Sequence, residues 1–317
     1  MNGAIVFAVA AMAGALAPVE VTMPGPEGPL AGGYQPAQSD GAKGPVVVII
    51  PGSGPTDRDG NSPLGIKAQS YRLLAKALGQ RGVASLRIDK RGMFASKAAI
   101  ADANDVTIED YAQDARSWAQ VAAKRAGVKC AWLLGHSEGG LVALQAAQQP
   151  KGICGIVLVS AAGRPLGEVM REQFKANPAN APILPQALAL IDELEAGRTV
   201  APETLPTPLN LIFPLPIQRY LISTFQLDPA ALAASSKVPV IILEGDNDLQ
   251  VTPADAERIK TARADARLTI LPGVNHVLKQ IKTGDRAANY ASYADPSLPI
   301  ASSVVDAVMA AISGRSK

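Results

Sequence analysis

The 317-residue chain is short of several things. Charged residues make up only 18% and nearly cancel, with Lys+Arg 30 against Asp+Glu 28 and a formal net charge of +2. No run of five or more like charges occurs, so the electrostatic footprint of a nucleic-acid binder is missing and no nucleic-acid partner is expected. Aromatic residues are 4%, which argues against a surface that works by stacking on bases or sugars. Beyond the N-terminal stretch, no run of eighteen apolar residues is present, so nothing internal is expected to span a membrane. There are two cysteines and two histidines. Two cysteines make neither a disulfide framework nor a four-ligand metal site.

What is present is a folded, turn-rich chain. Hydrophobic residues are 48%, with Gly 28 and Pro 25, a composition that excludes intrinsic disorder and a plain helical bundle. Residues 4–17 are almost wholly apolar and end in Ala15-Leu16-Ala17, the small-x-small pattern of a signal cleavage site. A signal peptide over residues 1–17 is the expectation, with cleavage after Ala13 as the alternative. It places the mature protein in the periplasm or outside the cell, without stable membrane insertion after processing. The alternative is a cytoplasmic protein with an apolar N-terminal core element. No cysteine follows the stretch to carry a lipid anchor. In an exported chain Cys130 and Cys154, each near the start of an expected strand, could pair; two buried apolar thiols are the commoner arrangement.

Short apolar runs alternate with longer helical patterns. Strands are expected at 46–50, 83–88, 130–134, 153–160, 238–243 and 267–271. Helices are expected at 70–79, 108–126, 140–148, 253–264 and 304–312. Strands alternating with helices give an α/β fold, a mostly parallel sheet covered on both faces. The proline-rich stretch 163–237 breaks the rhythm. It holds helical pieces at 186–196 and 218–225 but no strand pattern, and reads as a helical cap or lid. The core is then 18–162 and 238–317.

Gly135-His136-Ser137-Glu138-Gly139 matches G-x-S-x-G between a strand pattern and a helix pattern. A serine on a sharp strand-to-helix turn needs glycine on both flanks, because bulkier side chains would clash. The turn exposes the hydroxyl at a helix N-terminus, where the dipole favours developing negative charge. Ser137 is the expected nucleophile. It needs a base, and His136 adjoins it on the strand side with its ring facing away, as a packed, hydrogen-bonded residue. His276, in a loop after the last strand pattern, is the remaining candidate. The base needs a carboxylate to fix its tautomer. Asp246 and Asp248 both follow the 238–243 strand; Asp248 is favoured, with Asp246 turning the chain and bonding its own backbone. An oxyanion hole is expected from the backbone N–H of Glu138 and that of Ser53, in the loop PGSGPTDRDGN. The Glu138 side chain then has no required role. Asp57, Arg58 and Asp59 read as an ion-paired clasp on that loop, and Arg91 as a brace for it.

The blocks PGSGPTDRDGN at 51–61, DKRG at 89–92, GHSEGG at 135–140, GDNDLQV at 245–251 and NHVLK at 275–279 together resemble the α/β-hydrolase superfamily. The chain is most similar to bacterial serine esterases near the serine aminopeptidase and dipeptidyl-peptidase branch. The resemblance implies an α/β-hydrolase fold, nucleophile Ser137, acid Asp248 and base His276. Two departures stand out: Pro51 where relatives often have His, and Phe94 where they commonly have a small residue. The second is expected to narrow the site mouth.

Acyl transfer to water needs no metal or organic cofactor, and none is implied. Leu205, Leu209, Leu211, Ile212, Phe213, Leu215, Ile217, Tyr220, Leu221 and Phe225 are expected to build an apolar acyl pocket for a small-molecule ester of modest size. The rival is a peptidase, which would use acidic groups among Glu168, Glu172, Asp192, Glu193, Glu195 and Glu203 to hold a free amine; a thioesterase is a further variant. A non-catalytic binding protein on the same fold is the reading from another class.

Overall fold

A computed structural model describes residues 17–38, 44–282 and 284–313. The expected signal peptide lies, but for Ala17, outside the described residues. Eight strands form one sheet: β1 (Val19–Pro24), β2 (Pro29–Gln35), β3 (Val46–Ile50), β4 (Ala84–Ile88), β5 (Ala131–His136), β6 (Ile153–Val159), β7 (Val240–Gly245) and β8 (Arg267–Leu271). Their order is β1-β2-β4-β3-β5-β6-β7-β8. β3 to β8 run parallel, while β2 is antiparallel to both β1 and β4.

The β1–β2 hairpin was not expected from sequence. β1 alternates exposed and buried residues, as an edge strand with one wet face does. β2 carries Gly32-Gly33 in place of the β-branched residues that usually mark a strand; a Cβ on Gly32 would press on the Arg87 carbonyl at 2.9 Å.

Among the described residues the α-helices are α1 (Ser70–Gln80), α2 (Ile108–Ala126), α3 (Glu138–Ala146), α4 (Leu166–Ala176), α5 (Leu184–Glu195), α6 (Thr207–Ile212), α7 (Leu215–Phe225), α8 (Pro229–Ser235), α9 (Pro253–Ala262), α10 (Arg286–Ala291) and α11 (Ser302–Ser313). β3 shows why the sheet is covered twice. Val46, Val48 and Ile50 face a core shared with α2, α3 and α9, whereas Val47 and Ile49 face one shared with α1 and α11. The wholly apolar run VVVII therefore buries both of its faces. α2 begins in a Thr107–Asp110 capping box and ends at Gly127 in the left-handed region. It brings the fully buried Trp118 against the first face.

α4 to α8 fall between β6 and β7. Phe174, Leu190, Ile191, Leu194, Leu209 and Phe213 form a hydrophobic cluster of their own, while Ala233 of α8 joins the main core. At the amino ends of β5 and β6, Cys130 and Cys154 are joined as a disulfide, with Cα atoms 5.3 Å apart. The commoner arrangement of two free thiols does not hold: β5 and β6 are neighbouring strands, and Cys154 falls at the register shift between Ala131 and Trp132 that breaks their pairing. Among the described residues no helix is long and apolar enough to cross a membrane.

Candidate active site

The carboxyl ends of β3, β5, β7 and β8 converge. Ser137 follows β5 and caps α3 with φ 54° and ψ −124°, a conformation that non-glycine residues avoid. A Cβ on Gly135 would strike the Gly139 carbonyl, and one on Gly139 the Ile50 carbonyl. Glycine at these two positions lets the turn close against β3. The backbone N–H of Ser137 bonds the Val159 carbonyl at 3.0 Å, tying the turn to β6.

The loop that carries His276 meets the loop that carries Asp248 directly. His276 Nδ1 lies 2.7 Å from Asp248 Oδ2, and both side chains are buried. The other Asp248 oxygen accepts the N–H groups of Gln250 at 2.7 Å and Val251 at 3.0 Å. Burial alone would push the Asp248 carboxyl up, but the His276 bond and charge and these two N–H groups hold it below the usual carboxylate range. An ionised Asp248 accepts from Nδ1–H, which leaves Nε2 of His276 with the lone pair a base requires.

Asp246 does something else. It accepts the Gly273 N–H at 2.6 Å, so it pins the base loop rather than bonding its own backbone as the sequence suggested. Asn275 fixes the same loop, donating to Asn289 at 3.0 Å and Ser292 at 2.7 Å. Glu244, one strand residue before Gly245, is 1% exposed. Burial first, then the nearby Asp248 charge, raises its carboxyl from 4.5 to about 9.

His136 is buried and bonded at both ring nitrogens, to the Tyr71 hydroxyl at 2.8 Å and the His276 carbonyl at 2.8 Å. The carbonyl only accepts, so Nε2 carries the proton and Nδ1 accepts from Tyr71. Burial, reinforced by His276, depresses its pKa to about 3. It is therefore a neutral spacer between loops. The Tyr71 hydroxyl also accepts the Gly52 N–H at 3.1 Å. Tyr71 was invisible to sequence reasoning, because a tyrosine on a helix face reads as core.

Ser53 lies where β3 leaves the sheet, near Ser137: a Cβ on Gly52 would sit 3.2 Å from that of Ser137. The N–H groups of Ser53 and Glu138 donate to no other described residue. The clasp is present. Arg58 bonds Asp89 at 3.0 Å, Asp59 pairs with Arg87, and Asp57 accepts the N–H groups of Asp59 and Asn61, each at 2.8 Å. Arg91 does not brace this loop. It pairs with Asp114 at 2.6 Å and Asp110 at 3.1 Å on α2. Its neighbour Lys90 reaches the loop instead, donating to the Gly52 carbonyl at 2.7 Å. Of a solvated or an ion-paired charge, the Glu138 carboxylate is the ion-paired one: it lies 3.5 Å from Lys90 with its side chain 13% exposed.

A cavity of about 720 Å³ opens beside Ser137 and Ser53. Of the apolar residues expected to form it, Ile217, Tyr220 and Leu221 line it. Leu209, Phe213 and Phe225 are spent on the insert's own cluster, and Leu211, Ile212 and Leu215 are exposed. Leu166 and Val169 of α4 and Leu141 of α3 also line it, with Val106, Leu227 and Val251. Met93 rather than Phe94 lines the cavity; Phe94 is 38% exposed at φ 47°.

Residues 47–279 match the alpha/beta hydrolase family. Esterase EstD of Thermotoga maritima is 27% identical over 242 residues, which cover 74% of this chain and 54% of that protein. The chain thus spans about half the length of the curated relative it matches. A hydrolase from Pseudomonas aeruginosa PA01 is similar in structure with a TM-score of 0.55 at 18% identity, covering 92% of this chain and 97% of the other. The alpha/beta hydrolase GrgF from Penicillium sp. sh18 gives 0.56 at 19% identity, covering 94% and 100%. With its mostly parallel sheet, its strained serine turn and a family match over most of its length, the chain belongs to the alpha/beta hydrolase family.

Proposed function

We propose that the chain is a serine hydrolase that cleaves carboxylic esters of small to medium, largely apolar substrates. The observation that carries this is the buried 2.7 Å pair of His276 and Asp248, on the loops that converge with the strained Ser137 turn beside a largely apolar cavity. Ser137 Oγ attacks the ester carbonyl carbon while His276 Nε2 takes its proton. The developing oxyanion is held by the N–H groups of Ser53 and Glu138. His276 then protonates the departing alcohol, and water repeats the sequence on the acyl-enzyme. The insert of α4 to α8 acts as a cap whose inner wall sizes the acyl group. Similarity to an esterase supports this class.

None of the acidic residues an aminopeptidase would need, Glu203 included, is among the residues that line the cavity. Glu168 pairs with Arg258, Glu172 with Arg164, Asp192 and Glu195 with Arg171, and Glu193 with Arg198. The one carboxylate in the cavity wall, Glu138, lies against Lys90. The Cys130–Cys154 disulfide supports an oxidising compartment, in keeping with export.

The test is hydrolysis of p-nitrophenyl esters of increasing acyl length by wild type, Ser137→Ala and His276→Ala. Turnover by wild type with a loss of roughly 10³-fold or more in both variants is expected. Full activity in either variant, or an inert wild type, would sink the reading.

A further inference from the structure

Lys90 is 5% exposed, an unusual place for an ammonium, whose burial is costly unless its charge is answered. Burial lowers its pKa, and Glu138 works against that shift. Three groups surround it. The Gly52 carbonyl accepts at 2.7 Å, the Glu138 carboxylate lies at 3.5 Å, and the Tyr111 ring faces it at 5.4 Å. Neither flanking charge serves the same loop carbonyl: Asp89 holds Arg58, and Arg91 holds α2.

The Gly52 carbonyl belongs to the peptide unit that ends in the Ser53 N–H. That unit is planar and trans, so its C=O and N–H point in opposite directions. Fixing one end fixes the other. The preceding peptide is tied as well, because the Gly52 N–H donates to Tyr71.

We propose that Lys90 is the positioning residue of the oxyanion hole. Its ammonium holds the Gly52 carbonyl so that the Ser53 N–H stays aimed at the reacting carbonyl oxygen. Through Glu138 the same ammonium reaches the residue that supplies the second N–H. This inference rests on the esterase reading above and on Ser53 as a donor. Glycine at 52 suits this arrangement, because an added Cβ would press on Ser137 at 3.2 Å.

The experiment uses the full chain with Lys90→Met and Lys90→Gln, the second keeping a neutral donor. Four quantities are read: kcat and KM on a short p-nitrophenyl ester, Ki of an alkyl trifluoromethyl ketone, and Ki of the alcohol of the same chain length. The ketone adds Ser137 Oγ to its carbonyl carbon and places a tetrahedral oxyanion in the hole, whereas the alcohol only fills the pocket. Lys90→Met is expected to lower kcat about tenfold to a hundredfold, less than deletion of a direct oxyanion donor. KM should stay within about twofold. Ketone affinity should fall in step with kcat while the alcohol is unaffected, and Lys90→Gln should recover part of both losses.

Wild-type ketone affinity in Lys90→Met would overturn the proposal. So would parallel weakening of ketone and alcohol, which would mark a general change in the pocket. Should Lys90→Met fail to fold, Lys90→Gln is judged by the same pair of inhibitors: a selective loss of the ketone supports the proposal, and unchanged ketone binding overturns it. A wild type that neither turns over esters nor binds the ketone would instead defeat the esterase reading itself, and this inference with it.

Discussion

The floor of the site and the helical insert above it are held by different forces. The floor is a mesh of short, buried polar bonds. Gly52, Tyr71, His136 and the His276 carbonyl form one chain of contacts, Asp248 and His276 a second, and Asn275 with Asn289 and Ser292 a third, while Asp246, itself exposed, adds a part-buried bond to the Gly273 N–H. Buried polar groups of this kind carry a large penalty when one partner is lost, so they admit one arrangement. The insert relies on apolar packing, including a stacked Phe174–Phe213 pair, and on ion pairs near its surface such as Arg171 with Glu195. Such packing tolerates changes of size, and exposed pairs contribute little. A fixed floor suits chemistry that depends on fractions of an ångström. A repackable wall suits selection among acyl groups.

That contrast can be broken most sharply at Asp248, the acid in the proposed mechanism. Asp248→Asn should lower kcat by roughly 10³- to 10⁴-fold, because an amide no longer enforces the base tautomer. Asp246→Asn keeps an acceptor for Gly273 and should cost about tenfold or less. Equal losses in the two variants would show that the 2.7 Å pair does not mark the acid.

Glu244 tests the floor through stability. Its carboxyl is raised from 4.5 to about 9, so folding takes up a proton between those values. The stability present below about pH 4.5 is then lost progressively as pH rises toward 9. Glu244→Gln keeps an acceptor for the Gly245 N–H and removes this loss. It should be more stable than wild type by about 2–4 kcal/mol at pH 8 and by little at pH 4.5. Urea midpoints at the two pH values decide it, and a gain of equal size at both would contradict the assignment.

The insert should respond in selectivity instead. Leu221→Trp is expected to reduce kcat/KM for long acyl chains about tenfold, with acetate esters nearly unchanged. A uniform loss across chain lengths would mean that this wall touches the floor after all. The smallest effect is at the rim. Phe94→Gly relieves a bulky residue at φ 47° and should stabilise the fold by about 1 kcal/mol without altering the chain-length optimum. A shift of that optimum would show that Phe94 shapes the mouth.

The residues of the floor were unequally visible in the sequence. Ser137, His276 and the aspartate pair announce themselves, because a glycine-flanked serine and a scarce histidine are strong local signals. Lys90 stood inside a recognised block, yet the bracing role went to Arg91, since the end of a strand does not reveal which of two adjacent cations turns inward. The insert was legible as a helical interruption. Its apolar residues were not separable into those that line the cavity and those that pack against each other, because both uses demand the same side chains. The β1–β2 hairpin escaped notice because a glycine-rich strand owes its place to close backbone approach, which periodicity does not record.

The sequence by itself determined the alternation of strand and helix, the serine turn and the order Ser, Asp, His along the chain. These rest on local sterics and on hydrophobic period, properties of residues near one another. Only the tertiary structure decided that Asp248 rather than Asp246 meets His276, that Cys130 bonds Cys154, and that Lys90 takes the Gly52 carbonyl. Each of these contacts joins residues that fall next to each other only when strands far apart in the chain align in one sheet. Which polar group finds which partner there is fixed by register and burial together.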